Sequence, residues 1–408
     1  MHIFPILSTL SLATARYTLH LPPTLQTGPT TADYITPSLT QSDLDSPKLN
    51  HANASSFDWW HFDAIASNSP NTSVAVTFSN AGPIGYPLIF PRGNASSSHP
   101  PTNGTHPNPN QNPNPTGALW AHVWITFPSG RKFTTAVPVA TARVSGSGDS
   151  SLAIWHGAGG WMGSEEGYEV EIEIDQAHGS IVEEDGIAVL GRISLERITD
   201  SHSGCSTAGN FSSALGLGPG SLDGNGGRGI GWVSVLPDAI ARVDLRVNGE
   251  VLRFEGYGFH DKLWSTSPFT SSTKSLTRGR AHLGPYSLLW LSYTPLIPSD
   301  SDSGMGTGTE AGQEIVSAFL ARDGETTHAG CEAGTVRMTP GREQTEGGPV
   351  SGFQVEIPGA RFSVATDVEV SESRGRHVRW NGRARGVFGR EGGEVEDEGF
   401  AVFERFEY

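Results

Sequence analysis

The strongest local constraint in this sequence is an Asn-Gly pair between two alternating segments. Apolar and polar residues alternate over residues 243–247 and again over 252–254, with Asn248 and Gly249 between them. A two-residue hairpin turn needs a positive φ at both central positions, and Asn-Gly adopts that conformation readily. The sequence therefore predicts an antiparallel hairpin centred on this pair.

The second strand of that hairpin leads into a glycine-interrupted aromatic segment. It reads Gly256-Tyr257-Gly258-Phe259-His260-Asp261-Lys262-Leu263-Trp264. Glycines inside a strand often mark the close approach of a ligand or another backbone, and an imidazole can move protons near neutral pH. We take His260 and Asp261 as candidate catalytic residues, although the pair could equally fix a strand end. Adjacent strand residues point to opposite faces, so we favour His260 as the functional member, with Asp261 either functional or a structural anchor.

The rest of the chain predicts an all-β protein with two domains. Its 408 residues include 51 glycines and 27 prolines, and short alternating segments recur with turn signals between them. Such patterns are typical of sandwiches and barrels. A Gly/Ser-rich segment at residues 204–231 suggests the boundary, with one domain over 16–215 and the other over 216–408. Residues 91–117, rich in Asn and Pro, are interpreted as a loop inserted in the first domain.

Charge and hydropathy limit the possible partners. The formal net charge is −16 and no run of Lys and Arg is present, so a nucleic-acid partner is not expected. No segment after the N-terminus has the roughly 20 apolar residues that a membrane-spanning helix needs. A small apolar molecule is the expected partner, and the sequence leaves the oligomeric state open.

The N-terminus indicates the secretory pathway. Residues 1–15 contain a short apolar region and end in Ala-Thr-Ala, as a signal peptide does, although no Lys or Arg precedes that region. Five Asn-x-Ser/Thr sequons support this interpretation, at Asn53, Asn71, Asn94, Asn103 and Asn210. In an oxidising compartment Cys205 and Cys331 could form one long-range disulfide; the alternative is two separate buried thiols.

Several common chemistries lack their motifs. The sequence has no Gly-x-Ser-x-Gly elbow, no His-Glu-x-x-His pair and no P-loop. Residues 224–229 match the dinucleotide fingerprint, but the strand–helix context of that motif is missing. We therefore expect no nucleotide, flavin or metal cofactor.

The densest aromatic segment lies near the start of the first predicted domain. Read as a strand, residues 57–63 place Trp59, His61 and Asp63 on one face. His61 is a candidate acid or base oriented by Asp63 in a pocket that Trp59 would help to line. The alternative is a core histidine whose hydrogen bond Asp63 satisfies.

Other aromatic residues are candidate pocket walls. Trp120, His122 and Trp124 share one face of a predicted strand, and the alternative is that they belong to the sandwich core. The candidates in the C-terminal half are Tyr257, Trp264, Phe269, Trp290, Tyr293 and Trp380. Each of these could instead pack in a core.

Two segments resemble one known superfamily. Trp60-His61-Phe62-Asp63 resembles the Trp-Tyr-Phe-Asp signature of the carotenoid 1,2-hydratase (hydroxyneurosporene synthase) and AttH-like superfamily. The segment that starts at Gly256 is similar to its Gly-x-Gly-Tyr-His-Asp-x-Asn-Trp signature. The chain departs from these signatures at His61, which replaces Tyr, and at Leu263, which replaces Asn.

The resemblance implies a fold and an activity. The fungal branch of the superfamily includes Diels–Alderases with an N-terminal β-sandwich, a C-terminal lipocalin-like β-barrel and a pocket between them. The predicted signal peptide and sequons make this chain most similar to hetero-Diels–Alderases of tropolone sesquiterpenoid biosynthesis. Decalin-forming relatives carry a functional Glu at the position of His61, which implies that this position faces the pocket.

Three functions remain open at this point. The first is a cofactor-independent pericyclase of fungal secondary metabolism, which would form an o-quinone methide by dehydration and hold it against a terpene alkene. The second is an isoprenoid hydratase, dehydratase or cyclase that works through a cation stabilised by Trp rings. The third is a secreted lipocalin-like carrier of apolar metabolites without catalysis.

Overall fold

The computed structural model describes most of the chain. The described residues are 16–36, 38–85, 117–176, 187–203, 205–207, 210–212, 214–215, 230–298, 309–340, 352–365, 367–369, 377–390 and 393–408. The predicted signal peptide, residues 91–116 of the loop predicted at 91–117, the glycine motif at 224–229 and the sequons at Asn94 and Asn103 lie outside them.

The described part of the chain is built almost entirely from antiparallel strands, which confirms the all-β prediction. The first sheet contains β1 (Tyr17–Leu21), β3 (Phe57–Ala66), β4 (Ser73–Ala81), β5 (Leu119–Thr126), β6 (Lys132–Pro138), β7 (Ala142–Ser147), β8 (Ser150–Trp155), β9 (Gly159–Ser164), β10 (Gly167–Gln176), β11 (Ile187–Arg197), β12 (His202–Ser203), β15 (Ala214–Leu215), β16 (Ile230–Val247) and β17 (Glu250–Ser265). Its main path runs β1-β7-β8-β9-β10-β11-β16-β17-β3-β4-β5-β6.

The second sheet follows in sequence. It contains β18 (Thr273–Leu283), β19 (Tyr286–Pro298), β20 (Thr309–Ala311), β21 (Ile315–Arg322), β22 (Glu325–Gly330), β23 (Arg337–Pro340), β24 (Gly352–Ile357), β25 (Ala360–Ala365), β26 (Val368–Glu369), β27 (His377–Arg390) and β28 (Gly393–Glu407). A small third sheet joins β2 (Ile35–Thr36), β13 (Cys205–Thr207) and β14 (Asn210–Ser212). The helices are α1 (Gln41–Asp45) and α2 (Phe269–Ser272), and no described helix has the length and hydropathy to cross a membrane.

The change from the first sheet to the second lies between Ser265 and Thr273, not at the predicted boundary of residues 215 and 216. The described residues of the Gly/Ser-rich segment pair with β16 and with β2. The hairpin of β16 and β17, which we assigned to the second domain, instead joins β11 to β3 inside the first sheet. The composition of residues 204–231 is typical of a linker, but β14 in this segment hydrogen-bonds to β2, which lies far away in the sequence.

The predicted Asn-Gly hairpin is present. Val247 pairs with Glu250, and Asn248 and Gly249 have φ values of 47° and 88°. The glycines that follow accommodate neighbouring protein atoms. A Cβ at Gly256 would lie 1.9 Å from the backbone oxygen of Ile65 on the adjacent strand β3. Close approach was therefore correctly predicted for Gly256, and the partner is a neighbouring strand.

Three apolar clusters organise the described part of the chain. One fills the interior of the first sheet and includes Trp60 and Phe62. Another lies where the two sheets meet and includes Phe57 and Trp59, so the predicted division of β3 into two faces is confirmed. The third is enclosed by the second sheet, around Trp290.

A buried ionic contact holds α1 inside the first sheet. Asp45 accepts hydrogen bonds from Ser151 and Tyr168, and its other oxygen lies 2.9 Å from Nε2 of His260. The Nδ1 atom of His260 lies 2.9 Å from the backbone oxygen of His61. Burial raises the pKa of Asp45, but His260 and the hydroxyl donors outweigh that effect and hold it below its ordinary value.

One cysteine can be placed. Cys331 is disulfide-bonded and half-buried, and the sequence holds one further cysteine, Cys205. The pairing of these two cysteines stays a prediction.

We predict that Asp45→Ala destabilises the fold by ~3–5 kcal/mol, because it leaves His260 buried without its carboxylate. Urea unfolding followed by tryptophan fluorescence measures the change. Asp175→Ala, at an exposed position on β10, is the matched control and should change stability little. An Asp45→Ala protein as stable as that control would contradict a structural role for the contact.

Candidate active site

Each sheet packs one of its faces against the other sheet. The middle of that face carries polar side chains. On the first sheet, strand register places His122, Thr77, His61 and Asp261 side by side across β5, β4, β3 and β17. Residues directly opposite in neighbouring antiparallel strands project to the same face. Apolar rings of Phe57 and the residues around it surround this polar row.

The second sheet presents the complementary row. Register aligns Arg278, Glu404 and Arg379 across β18, β28 and β27. Arg280 and His282 follow on the same face of β18, because side chains two residues apart in a strand share a face.

The two rows form a network of paired charges. Asp63 binds Arg280 and lies 2.6 Å from Nη2 of Arg379. Glu404 lies 2.8 Å from Arg278 and 2.5 Å from Arg379 within the second sheet. All of these side chains are nine-tenths or more buried, so the network excludes bulk water.

Arg278 extends the network to the first sheet at a second point. Its guanidinium binds Asp261, which also accepts a hydrogen bond of 2.9 Å from Nε1 of Trp232. The same guanidinium carbon lies 5.5 Å from the centre of the Trp59 ring, within the range of a cation–π contact. Asp261 therefore belongs to the space between the sheets.

His61 lies at the centre of this arrangement. Its Nδ1 atom is 2.9 Å from the hydroxyl of Thr77, and Nη1 of Arg379 lies 3.2 Å from its Nε2 atom. The Nε2 atom is also 3.4 Å from Asp63. If Arg379 donates to Nε2, then Nδ1 carries the proton and donates to Thr77, which sets the tautomer.

Two carboxylates of the network, Asp63 and Glu404, stay ionised. Burial raises the pKa of Asp63, but the guanidinium groups of Arg280 and Arg379 hold it well below its ordinary value. The pKa of Glu404 is lowered in the same way, with burial opposed by Arg278 and Arg379. Burial lowers the pKa of Arg379, and the charges of Asp63 and Glu404 overcome that effect and raise it.

A cavity of about 20 Å³ adjoins the network. Its lining combines the charged groups with apolar side chains and consists of His61, Asp63, Trp232, Phe259, Arg278, Gly279, Arg280, Leu289, Arg379, Val402 and Glu404. Enclosed charges of this kind act strongly on a bound molecule, because the surroundings have a low dielectric constant. The space is small, so a substrate needs the two sheets or their side chains to move apart.

The structure separates the predicted catalytic residues. His260 points into the first sheet, where its ring stacks on Phe62 at 3.9 Å, whereas His61 and Asp261 point toward the second sheet. The prediction that His260, rather than Asp261, points into the pocket was therefore wrong. Alternation placed the two on opposite faces, but the sequence does not say which face meets the other sheet.

None of the predicted aromatic wall residues lines the cavity beside His61, and their role in a pocket stays a prediction. Trp59, Trp120, Phe269 and Tyr293 belong to the apolar cluster where the sheets meet. His122 lies at the end of the polar row described above, with Trp124 against it at 3.6 Å between ring centres.

Other candidate wall residues lie elsewhere. Trp264 packs inside the first sheet, 6.3 Å from Tyr34, so it was wrongly placed in the pocket. Trp290 lies in the core of the second sheet, and half-buried Trp380 packs against that core. Half-buried Tyr257 stacks on His282 at 3.7 Å, beside the charged network.

Sequence reasoning missed most of the charged partners. Arg278, Arg280, Arg379 and Glu404 were not singled out. Their signal was the presence of charged residues at alternate positions of otherwise apolar strands, as in Arg278 and Arg280. Their partners lie on strands far away in the sequence, so this pattern alone did not separate them from a solvated face.

The predicted sequons differ in setting. Asn71 is exposed. The side-chain oxygen of Asn53 accepts hydrogen bonds of 2.9 and 3.0 Å from the backbone of Ser55 and Ser56. Asn210 starts β14, where side chains are not described. Glycosylation of these sites stays a prediction. Within the described ranges, no cluster of three or more His, Cys, Asp or Glu has a geometry suited to a metal ion.

Two further histidines of this region are held neutral. Burial lowers the pKa of His122 to about 3, helped by the neighbouring His377. Burial also lowers the pKa of His377 to about 4, although Glu404 opposes the shift. An unfolded histidine titrates near pH ~6.5, so the unfolded chain binds protons between about pH 6.5 and 4 while the folded chain does not. The stability that these rings contribute is complete above about pH 6.5 and is lost as the pH falls.

We predict that the free energy of unfolding decreases between about pH 7.5 and about pH 5.5, above the range in which carboxylates titrate. Urea unfolding at both pH values measures the decrease. His122→Phe removes one of these groups and should lose less stability over the same interval. An equal loss in both proteins would contradict the assignment of His122 as a buried neutral ring.

Comparison with known proteins agrees with this architecture. The Diels-Alderase-like family model matches residues 104–330, more than half of the 408 residues. The quinolone epoxide rearrangement protein penF of Penicillium thymicola is 29% identical over 391 residues, covering 90% of each chain. The quinolone epoxide rearrangement protein asqO of Emericella nidulans is 28% identical over 311 residues, which is 75% of this chain and 69% of that protein.

A solved structure shows the same fold. The crystal structure of CghA with Sch210972 aligns with a TM-score of 0.58 at 14% sequence identity, covering 96% of this chain and 98% of CghA. The family model and the relatives above confirm the resemblance seen in the two sequence signatures. The chain belongs to the Diels-Alderase-like family and is an enzyme of the cyclase or isomerase type.

Proposed function

We propose that this chain is a cofactor-independent pericyclase that catalyses a stereoselective hetero-Diels–Alder cycloaddition between the two sheets. The observation that carries the proposal is the buried meeting face itself, where aromatic rings surround a network of charge pairs around His61. A cycloaddition needs placement of diene and alkene more than strong acid or base groups.

The substrate class that we propose is an o-quinone methide and a terpene alkene. The o-quinone methide forms when a hydroxymethyl phenol loses water: the C–O bond breaks, and the oxygen leaves with the phenolic proton. The cycloaddition then forms one C–C and one C–O bond without loss of atoms. His61 would transfer the proton, and Arg379, whose charge persists at every relevant pH, would stabilise the oxygen on which negative charge develops.

A second candidate follows from the relatives. Two relatives that cover most of the chain are named quinolone epoxide rearrangement proteins. A chain of this type could open a quinolone epoxide and rearrange it, which is an isomerisation through a cation-like state. The Trp59 ring, already in contact with the Arg278 guanidinium, could stabilise such a cation. This reaction shares a cationic intermediate with the isoprenoid hydratase, dehydratase or cyclase that the sequence left open, but its substrate is a quinolone.

Carriage without catalysis is the least supported alternative. The space beside His61, about 20 Å³, is too small for a carried ligand and for a substrate alike, and larger clefts of about 660 and 750 Å³ lie elsewhere on the described chain, so cavity volume does not separate the two functions. The chain also belongs to a family of enzymes. Secretion, and membership of a tropolone sesquiterpenoid pathway, remain proposals that rest on the signal-like N-terminus and the sequons.

The first experiment supplies both substrate classes to the purified protein. We expect a generated o-quinone methide and a terpene alkene to react faster than without enzyme and to give one stereoisomer, as chiral chromatography would show. A parallel incubation with a quinolone epoxide tests the second candidate. If the protein converts only the epoxide, the rearrangement becomes its proposed reaction in place of the cycloaddition. A racemic cycloaddition product formed at the uncatalysed rate, together with no conversion of the epoxide, would reject both reactions.

Replacement of His61 tests the proposed site. We predict that His61→Ala lowers the rate by about 10²-fold or more, the usual contribution of general acid–base catalysis, or lowers the stereoselectivity. His20→Ala, at an exposed position on β1, is the matched control. Wild-type turnover and product ratio in His61→Ala would remove His61 from the mechanism, even if the reaction itself is confirmed.

A further inference from the structure

A second part of the meeting face contains two buried histidine nitrogens without a hydrogen-bond partner among the described residues. The Nδ1 atom of His122 and the Nε2 atom of His377 are buried and have no hydrogen-bond partner in the part of the chain that the structure describes. Both residues are more than nine-tenths buried, at 7% and 8% exposure. A buried polar atom without a partner costs free energy, about 1–3 kcal/mol. Such atoms are expected where a ligand supplies the missing contact.

The two histidines belong to opposite sheets and lie near each other. His122 ends the polar row of the first sheet, with Thr77 between it and His61. His377 aligns with Phe406 on the second sheet, one position along its face from the row of Arg379 and Glu404. The contact of 3.2 Å between Arg379 and His61 brings the two polar rows together, so both histidines face the same region between the sheets.

The flanking groups define the shape of a ligand. The Trp124 ring lies 3.6 Å from His122, and the Phe406 ring lies 4.3 Å from His377 at an angle of 23°. Each of these rings covers one face of its imidazole, so a ligand would meet the unpaired nitrogen at the imidazole edge, beside an apolar ring that suits a flat apolar molecule.

The surrounding charges define its polarity. Both imidazoles are neutral above about pH 6.5, because burial holds their pKa values at about 3 and 4. The nearby carboxylates and guanidinium groups are engaged with one another, as Asp63 and Glu404 are with Arg379. A charged ligand would therefore be buried without a counter-ion, which is unfavourable. A neutral group that donates or accepts a hydrogen bond has no such cost.

We propose that His122 and His377 form a polar subsite that binds an uncharged carbonyl, hydroxyl or amide group on a planar apolar substrate. One imidazole nitrogen from each sheet would reach the group, and this contact would orient the reacting end of the molecule toward His61. This inference rests on the proposed function in one respect, which is that the substrate binds between the two sheets. It is tested by binding without turnover, so its failure is distinct from failure of the reaction.

The test compares two probes of nearly the same shape by equilibrium dialysis at neutral pH. The probe 2-quinolinone is a neutral planar lactam, and naphthalene is its apolar counterpart. We expect the wild-type protein to bind the lactam more tightly than naphthalene. In the double variant His122→Phe/His377→Phe, lactam binding should weaken about tenfold, the loss expected for one or two neutral hydrogen bonds, while naphthalene binding should not weaken.

The same variant separates binding from folding. Phe replaces each imidazole by an apolar ring and removes unsatisfied nitrogens, so stability at neutral pH should stay the same or increase. Urea unfolding measures this, and His20→Phe on exposed β1 is the matched control for binding. If the double variant does not fold, the single variants His122→Phe and His377→Phe carry the same comparison. An undiminished preference for the lactam in the variants, or no lactam binding by the wild-type protein, would overturn the proposal.

Discussion

The row of basic side chains on β18 is the interaction on which the arrangement of the two sheets depends. Arg278, Arg280 and His282 occupy alternate positions of one strand and therefore share one face. Each binds a carboxylate of the first sheet: Arg278 binds Asp261, Arg280 binds Asp63, and His282 lies 2.6 Å from Asp238. These partners come from three different strands of the first sheet. A shift of β18 by one residue would turn all three side chains to the other face, and a shift by two would leave one of the three carboxylates without a basic partner, so the row favours one relative position of the two faces.

This network also explains why a catalytic space can exist there. Buried ion pairs contribute little net stability, because the loss of hydration offsets much of the attraction, but removing one partner is costly. The network therefore serves to fix the positions of its charged groups more than to stabilise the fold. Arg379 shows this best, since it contacts Asp63, Glu404 and His61 at once. A cation held in that way needs no reorganisation when charge develops on a substrate.

The first sheet uses buried charge differently. His260 and Asp45 connect β17 to α1, and Lys262 lies 2.9 Å from Asp58 on the same face. Burial lowers the pKa of Lys262 to about 8, opposed by the carboxylate of Asp58. These contacts attach the segment before β3 to the interior of the first sheet. The two His-containing signatures thus serve two purposes on two faces: His61 takes part in the site, and His260 supports the strand that carries it.

Local sequence by itself determined the strand character, the Asn-Gly hairpin, the close packing at Gly256 and the two faces of β3, because these depend on φ preferences and on a period of two. The short signatures also pointed to the family. Only the tertiary structure decided which face of β17 meets the second sheet, that β16 and β17 belong to the first sheet, and that Arg278, Arg280, Arg379 and Glu404 surround His61. Those outcomes depend on pairing between strands up to some hundreds of residues apart, and such pairing leaves no periodic trace in either partner.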